Sequence, residues 1–586
     1  MSSMEKVYYE EDPKKVEQLI ADINDYVGWT ALDLETTGLD PLTDKITHIV
    51  LSLPHWARAV VLGPQFVPLL ARLQTRLVLQ NFKFDYAFLY RAGVDLRLKN
   101  EMRDIMLLDH LIDENQEHGL DAQVQREFND DYKEKFWSTY SAYEEAPFDA
   151  QIDYAGHDAI YTSRLHSLYL ERCDSMDIPR SLIEHVHNLA LKLYDTEIKG
   201  IRVDVDYTMA MGEQLKREIA EAIPKMRAAT ELQCQMVEMD MYVKELDKRK
   251  TNKGKAGVKK PEFNFDSPSQ QKELIYGKLG VTPIKFKGSP TLNAAALEML
   301  TLEHPLIPML ADYKTKPKVY GTFIKGTLEH LVGDRIYPSF HVNGTVTGRI
   351  SSSKPNMQQL PKEGGVRGIY VPDPGYKFIT ADYAQLEVTM AAHFSQDKNL
   401  LRIVHEGASQ HDITAEGLGV ARDLAKRINF AMQYGATVYK IMEILKCAKG
   451  DAKYALDKYW ETYSGLKKLI DVCHRKVHDG QPIINPYGRR RHFPTTFESK
   501  GALHKAERQA FNALTQGTGA DITHASFYSI PESVFEVHDE VVAMARSEQV
   551  EEVRDRMERV MVAQGKPWLT LPLSVDVSEG LDRWIK

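Results

Sequence analysis

Short apolar runs dominate the first third of the chain. The runs WTALDL, ITHIVLSL, RAVVLG and RLVLQ have the length and composition of buried β-strands, and helical spacing follows near residues 84–91 and 150–172. This succession of strands and helices predicts an α/β unit over residues 28–172.

The rest of the chain shows two other patterns. Residues 186–335 are polar and mostly helical in period, whereas residues 336–586 mix strands such as YKFITADY and FEVHDEVVAM with long helices at 421–435 and 502–516. No internal repeat is present. The sequence therefore predicts a multidomain protein in which an α/β domain precedes a helical segment and an α+β segment.

Composition narrows the class of protein. Of 586 residues, 43% are hydrophobic and 27% are charged, which excludes a disordered, collagen-like or disulfide-stabilised chain. No apolar run approaches the ~18 residues of a membrane helix, and the start MSSMEKVYYEEDPKK lacks the features of a targeting sequence. We therefore expect a cytoplasmic protein with no membrane partner.

Cysteine and charge usage exclude further classes. The cysteines Cys173, Cys234, Cys447 and Cys473 are far apart and form no CxxC pair, which argues against structural zinc and for a reducing compartment. The formal net charge of −9 excludes a uniformly basic nucleic-acid coat but allows local basic surfaces.

One strong charge run, KELDKRKTNKGKAGVKK at 244–260, has eight basic and two acidic residues. Two interpretations are open: a solvated loop, which composition alone favours, or a loop that lies along a phosphate backbone.

A first set of carboxylates follows the predicted strands of the α/β unit. Asp33 and Glu35 are two residues apart at the end of WTALDLET, so on a strand their side chains point to the same side. Asp85 follows RLVLQ, where it could cap a helix, and Tyr154 and Asp158 share a helix face. Each feature alone also has an ordinary structural explanation.

A second set lies in the C-terminal part. Asp382 ends the strand KFITADY, and Asp539 lies in the turn of FEVHDEVVAM. A charge beside an apolar strand is costly unless it has a partner, although aspartate in hairpin turns is common.

A helical stripe distinguishes the segment 421–435. Arg422, Lys426, Phe430 and Tyr434 recur every four residues and span about 18 Å. Two cations followed by two aromatic rings suit a triphosphate at one end and a base and sugar at the other.

The first set resembles the three motifs of proofreading 3′–5′ exonucleases with a ribonuclease H-like fold. The matches are DxE at Asp33 and Glu35, NxxxD at Asn81 and Asp85, and YxxxD at Tyr154 and Asp158. The resemblance implies that the four carboxylates hold two Mg²⁺ or Mn²⁺ ions. It also implies that Tyr154 orients the attacking water and that the site removes nucleotides from a 3′ end.

The second set and the stripe resemble motifs A, B and C of the family A DNA polymerases. The matching segments are 382–387, 422–435 and 538–540, together with TGRISSSKPNMQQLP at 347–361, FNFDSPSQQKELIYGKLG at 263–280 and ERQAFNALTQGTGADI at 507–522. With the exonuclease motifs, the resemblance extends over nearly the whole chain.

This resemblance implies a role for each motif residue. Asp382 and Asp539 would hold two Mg²⁺ ions. The nucleotide contacts would come from Arg422 and Lys426 on the phosphates, Phe430 on the sugar and base, Tyr434 near the template, Glu387 against a ribose 2′-OH, and Gln385 and His411. Lys426 would also protonate the leaving group. The DNA contacts would come from Arg349, Arg508, Asn512, Gln516, His538 and Glu540.

Three departures from the family pattern stand out. Thr389 replaces a customary arginine, the short interval from His411 to Arg422 predicts reduced fingers, and the short interval from Gln516 to His538 predicts little room for a palm helix. Because the exonuclease motifs begin close to the first residue, we also expect no N-terminal 5′ nuclease and a layout similar to that of a phage replicase.

The resemblance implies an exonuclease domain over 1–185, a thumb over 186–335, a palm over 336–400 and 481–586, and fingers over 401–480. Primer–template DNA and dNTPs are the expected partners of a monomer. A ribonuclease D-like exonuclease is opposed by motifs A to C. Glu387 and the intact exonuclease motifs argue against a single-subunit RNA polymerase. The complete set of metal-binding carboxylates argues against a non-enzymatic scaffold.

Overall fold

The computed structural model describes residues 6–53, 58–249, 259–286, 289–362, 364–433, 438–445 and 447–585. None of the helices in these residues is both long and apolar enough to span a membrane.

The N-terminal part is a mixed sheet with helices packed on it. Its elements are β1 (Lys6–Glu10), α1 (Pro13–Asp25), β2 (Trp29–Thr36), β3 (Ile46–Leu53), β4 (Arg58–Leu62), β5 (Arg76–Leu79), α2 (Lys83–Arg91), β6 (Glu101–Asp104), α3 (Ile105–Ile112), α4 (Leu120–Phe128), α5 (Tyr132–Thr139) and α6 (Phe148–Ser175). The strand order is β1-β4-β3-β2-β5-β6, with β3 antiparallel to both neighbours and the other pairs parallel.

All four predicted strands of this part are confirmed as β2 to β5. The two edge strands, β1 and β6, were not predicted, because their sequences KVYYE and EMRD are short and have charged residues at both ends.

Helix α6 lies close against the sheet because of a glycine. A Cβ atom added to Gly156 would lie 2.3 Å from Val7 Cγ1 on β1, so any larger residue would push the helix away. Gly156 lies between Tyr154 and Asp158 and thereby brings both residues next to β2.

The middle part is helical, as predicted, and has a separate hydrophobic core that includes Val237, Leu274 and Leu306. Its elements are α7 (Arg180–Lys199), β7 (Ile201–Arg202), α8 (Val205–Ala229), α9 (Glu231–Arg249), α10 (Pro268–Lys272), β8 (Lys285–Phe286), β9 (Ser289–Pro290), α11 (Ala294–Met299), α12 (Leu306–Lys318) and α13 (Gly326–Glu329).

The C-terminal part surrounds an antiparallel sheet. Its elements are β10 (Arg335–Ile336), β11 (Ser339–His341), β12 (Ser351–Ser353), β13 (Tyr376–Tyr383), α14 (Leu386–Ser395), α15 (Lys398–Glu406), α16 (Gln410–Leu418), α17 (Arg422–Gln433), α18 (Val438–Leu445), α19 (Lys449–Thr462), α20 (Ser464–His478), β14 (Ile483–Ile484), β15 (Arg490–Arg491), α21 (Lys500–Ser529), β16 (Ser533–Val537), β17 (Glu540–Arg546), α22 (Val550–Ala563) and β18 (Val575–Val577). The central sheet has the order β16-β17-β13-β18.

Two sequence-based expectations need correction. The domain boundary at 185/186 falls inside α7, a continuous helix that packs on both α3 and α21 and so belongs to both neighbours. The expectation of little room for a palm helix between Gln516 and His538 also needs correction, because α21 continues to Ser529. That stretch is buried on nearly all sides, so it lacks the amphipathic period by which helices are recognised.

Candidate active sites

Four carboxylates meet at the end of β2. Carboxylate oxygens of Asp33, Glu35 and Asp158 all lie within 4.8 Å of one another. Asp85, in the first turn of α2, accepts a hydrogen bond from the Leu34 N–H at 3.0 Å. The structure therefore brings together the carboxylates that the sequence places on β2, α2 and α6.

The start of α2 is fixed by a buried aspartate. Asp104 accepts hydrogen bonds from the N–H groups of Asn81 at 2.9 Å and Phe82 at 3.1 Å. Asn81 has a φ of 56°, a left-handed conformation that asparagine tolerates better than most residues. This turn directs Asp85 toward β2.

The cluster concentrates negative charge. Burial, followed by repulsion from Asp158, raises the pKa of Asp33 to about 8. Burial and Asp33 also raise the pKa values of Glu35 and Asp85 well above their usual range. Hard oxygen ligands that repel one another are the donor set that divalent cations stabilise.

Helix α5 supplies site residues that the sequence analysis missed. Lys133 Nζ lies 2.5 Å from Asp158 Oδ2 and 3.3 Å from the Tyr154 hydroxyl. The Tyr132 hydroxyl donates to Asp158 at 2.5 Å, and the Trp137 indole N–H donates to the Tyr154 hydroxyl at 3.3 Å. The only sign of these residues in the sequence is the i, i+4 spacing of Lys133 and Trp137, which puts both on the same face of a helix.

The α5 contacts alter the ionisation of the site. Burial, followed by the charge of Asp158, raises the pKa of Tyr154 to about 12. Burial alone would lower the pKa of Lys133, but Asp158 outweighs it and raises that pKa. Tyr154 therefore stays a neutral hydroxyl and Lys133 stays a cation at neutral pH.

A second acidic pair lies at the centre of the C-terminal sheet. Asp382 on β13 is in register with Glu540 on β17, and the Tyr383 N–H donates to the Asp539 carbonyl at 3.1 Å. The carboxyl groups of Asp382 and Asp539 contact each other, and burial together with Asp382 raises the pKa of Asp539 to about 6. The structure thus brings the two predicted aspartates side by side.

The turn that carries Asp539 is held in place by buried contacts of the neighbouring residue Glu540. His538 has a φ of 62°, which turns the chain between β16 and β17. Glu540 is fully buried and accepts from Arg367 Nη1 at 2.6 Å and from Trp584 Nε1 at 3.0 Å. The predicted DNA contact of Glu540 is wrong, because its side chain supports the hairpin instead of reaching the surface.

Charged side chains surround the aspartate pair. Lys362 Nζ donates to Asp382 at 3.1 Å, and Arg349 donates to Glu387 at 2.8 Å. Thr389 is buried and donates to the Gln385 carbonyl at 3.2 Å. Its short side chain therefore cannot make the contacts that a long arginine side chain would make at this position.

The predicted stripe begins on α17. Arg422 and Lys426 are exposed, and Arg422 donates to Asp412 at 2.7 Å. His411 lies 3.1 Å from the Asn429 amide. The side chain of Phe430 and all of Tyr434 lie outside the described residues, so the aromatic half of the stripe stays a prediction.

One face of α21 carries the predicted DNA contacts of this helix. Arg508, Asn512 and Gln516 recur every four residues, and each is exposed or half-buried.

Comparison with known proteins decides the family. Residues 226–586, more than half of the chain, match the family model described as DNA polymerase family A, and residues 7–171 match the model described as 3′-5′ exonuclease. The chain belongs to the family A DNA polymerases. An exonuclease domain thus precedes a polymerase domain, which confirms the predicted fold class; the phage-like origin stays a prediction.

Curated relatives of this family A chain include three bacterial enzymes. DNA polymerase I of Chloroflexus aurantiacus is 26% identical over 94% of the chain and 60% of its own length, and that of Pseudomonas aeruginosa is 28% identical over 94% and 63%. The thermostable DNA polymerase I of Thermus aquaticus is 27% identical over 74% and 51%. The chain thus spans about half to two thirds of these relatives.

A solved structure has the same fold. The POL domain of Pol1 from M. smegmatis, in complex with DNA primer-template and dNTP, has a TM-score of 0.80 and is 20% identical, with 98% of this chain and 99% of that chain covered.

Proposed function

We propose that the chain is a template-directed DNA polymerase that adds dNTPs to a primer 3′ end and removes misincorporated nucleotides in its exonuclease domain. The contact between Asp382 and Asp539 carries the proposal, because cations stabilise a pair of half-buried, mutually repelling carboxylates. The bound DNA primer-template and dNTP of the M. smegmatis domain support the same substrates.

The polymerase pair fits divalent metal ions. Asp382 and Asp539 would hold them, and the bound ions would supply Lewis-acid chemistry that activates the primer 3′-OH and neutralises the triphosphate and the leaving pyrophosphate. Oxygen-only donors suit Mg²⁺ or Mn²⁺.

The exposed cations of α17 bind the incoming nucleotide. Arg422 and Lys426 lie one turn apart and neutralise the phosphates, and Lys426 donates a proton to the leaving group. His411 adds a phosphate contact, and Phe430 and Tyr434 stack on the sugar, base and template. Glu387 and Gln385 lie at the start of α14, where Glu387 closes the space of a ribose 2′-OH.

The duplex lies on the face of α21. Arg508, Asn512 and Gln516, with Arg349 and His538, contact minor-groove acceptors that all correct base pairs share. Sequence-independent contacts of this kind suit a polymerase that must accept any template.

The exonuclease pocket hydrolyses the last phosphodiester of a 3′ end. Asp33, Glu35, Asp85 and Asp158 would hold two divalent ions. Tyr154 orients the attacking water through its neutral hydroxyl, and Lys133 holds Asp158 in place.

The segments take the roles expected of a right-hand polymerase. Residues 6–175 form the exonuclease domain, α8 to α13 the thumb, the sheet around β13 the palm and α16 to α19 the fingers, with α7 shared by exonuclease domain and palm.

Primer extension tests the proposal. A labelled primer on a defined template should be extended with dNTPs and Mg²⁺, but not with rNTPs, with EDTA, or by Asp382→Asn. Extension that survives EDTA or the Asp382→Asn substitution would reject the polymerase assignment.

A further inference from the structure

A buried histidine joins three parts of the polymerase site. His524 on α21 is 1% exposed, and its Nε2 lies 2.9 Å from the carbonyl oxygen of Gly348. Its Nδ1 forms an ion pair with Glu536 on β16, which is also 1% exposed. One imidazole ring therefore connects a loop, a helix and the strand that leads to Asp539.

The two contacts fix the charge of this ring. A carbonyl oxygen and a carboxylate are both negative in partial or full charge, so their contacts with the two ring nitrogens favour a ring with a proton on each. Burial alone would lower the pKa of His524, but Glu536 reverses this effect and raises it.

The neighbouring charges have partners of their own. Asp521, one turn earlier on α21, is bound by Arg489 Nη2 at 2.6 Å, by His185 Nε2 at 3.1 Å and by Asn485 at 2.7 Å. Arg489 thus balances Asp521, which leaves His524 to balance Glu536.

Each part joined by His524 leads to the reaction centre. Gly348 has a φ of 84°, and a Cβ there would lie 2.7 Å from Arg489 Nε, so only glycine fits. The next residue, Arg349, donates to Glu387. Asp539 follows three residues after Glu536 in the chain, at the end of the same hairpin.

We propose that His524 is a positioning residue of the polymerase site, in which an imidazolium ring fixed by Glu536 holds the Gly348 carbonyl and thereby the loop that carries Arg349. The proposal rests on the proposed polymerase function. It requires no contact between His524 and DNA, nucleotide or metal.

Single-nucleotide extension kinetics test the proposal with His524→Gln, Glu536→Gln, the double variant and His524→Lys. We expect His524→Gln to lower kcat by about 10- to 100-fold with little change in the KM for dNTP, because a displaced loop misaligns the primer end. The double variant should be no worse than the worse single variant. His524→Lys should be more active than His524→Gln, because it keeps the charge.

Exonuclease digestion of single-stranded DNA serves as the folding control and should stay at the wild-type rate in every variant. A matched control is His166→Gln, which removes another buried histidine, 2% exposed, beside Trp29 in the exonuclease domain; its kcat for extension should be unchanged. A wild-type kcat in His524→Gln, additive single effects, or a parallel loss of digestion would overturn the proposal. An inactive wild-type polymerase would instead refute the proposed function.

Discussion

Single residues of α5 complete the carboxylate cluster of the exonuclease domain. Lys133 is the one among them that carries a charge into the carboxylate cluster, and its side chain is only 20% exposed. We therefore expect its contribution to be chemical as well as structural.

Lys133→Met should lower the rate of single-stranded DNA digestion by about 10- to 100-fold, the usual effect of removing a partner that orients a metal ligand. The rate is measured at saturating Mg²⁺. Lys135→Met on the same helix is the matched control, because Lys135 pairs with Asp131 in solvent and is 71% exposed. Equal rates for the two variants would contradict the role of Lys133.

Glu387 is the residue to which we assign the choice between dNTPs and rNTPs. Glu387→Ala should raise the use of rNTPs relative to dNTPs, because it opens the space assigned to the 2′-OH. Glu387→Gln keeps the size but removes the ion pair with Arg349, so it should still exclude rNTPs. If the Gln variant accepts rNTPs as readily as the Ala variant, the charge and not the size of Glu387 selects the sugar.

The sequence predicted these residues unevenly. Asp33, Glu35, Asp382 and Asp539 could be found because each interrupts or ends an apolar strand. Lys133 and Arg367 could not, because their roles depend on which strand or helix lies opposite in the fold. The resemblance to motif C also assigned Glu540 to DNA, because a motif match does not show to which side of β17 a side chain points.

At the scale of elements, the hairpin β16–β17 depends on a buried ion pair. Glu540 and Arg367 have side chains that are 0% and 4% exposed, so each needs the other. The sheet strands themselves were predictable from their apolar runs, whereas this support beneath them was not.

Arg367→Met should lower the free energy of unfolding by about 3–5 kcal/mol, because it leaves the Glu540 carboxylate buried without a cation. Denaturant unfolding measures the change. Arg554→Met is the control, because Arg554 pairs with Glu579, which is 82% exposed, and such pairs contribute about 1 kcal/mol at most. Similar decreases in both variants would refute the buried pair as the main support of the hairpin.

In the whole molecule, buried and half-buried ion pairs join the exonuclease domain to the polymerase body. Lys83 on α2 lies 3.1 Å from Glu197 and donates to the Phe340 carbonyl at 2.6 Å. Glu114 accepts from Arg491 at 2.6 Å and pairs with His492 at 2.9 Å. We therefore expect a primer end to move between two fixed centres.

The basic run 244–260 is a second feature that could affect how the whole molecule binds DNA. Residues 244–249 continue α9, and residues 250–258 lie outside the described residues. Its role on DNA stays a prediction, since composition alone fits both a solvated loop and a phosphate-binding one.

Replacing Lys253, Lys255 and Lys259 with Gln should weaken duplex binding and flatten its salt dependence, by about 0.9 in the log–log slope for each phosphate that the variant no longer neutralises. The same change at Lys14, Lys15 and Lys135, which are exposed in the exonuclease domain, is the control for net charge. An unchanged slope in the first variant would leave the run as a solvated segment.

We propose that one chain holds two independent carboxylate centres, one that extends a strand and one that shortens it. The most direct measurement follows a labelled primer with a mismatched 3′ end, incubated with template, Mg²⁺ and dNTPs, in wild type, Asp539→Ala and Asp33→Ala. Wild type should trim the mismatch and then extend, Asp539→Ala should only trim, and Asp33→Ala should leave the mismatch in place while extending a matched primer. Loss of both activities in either variant, or extension by Asp539→Ala, would show that the two carboxylate centres do not have these separate roles.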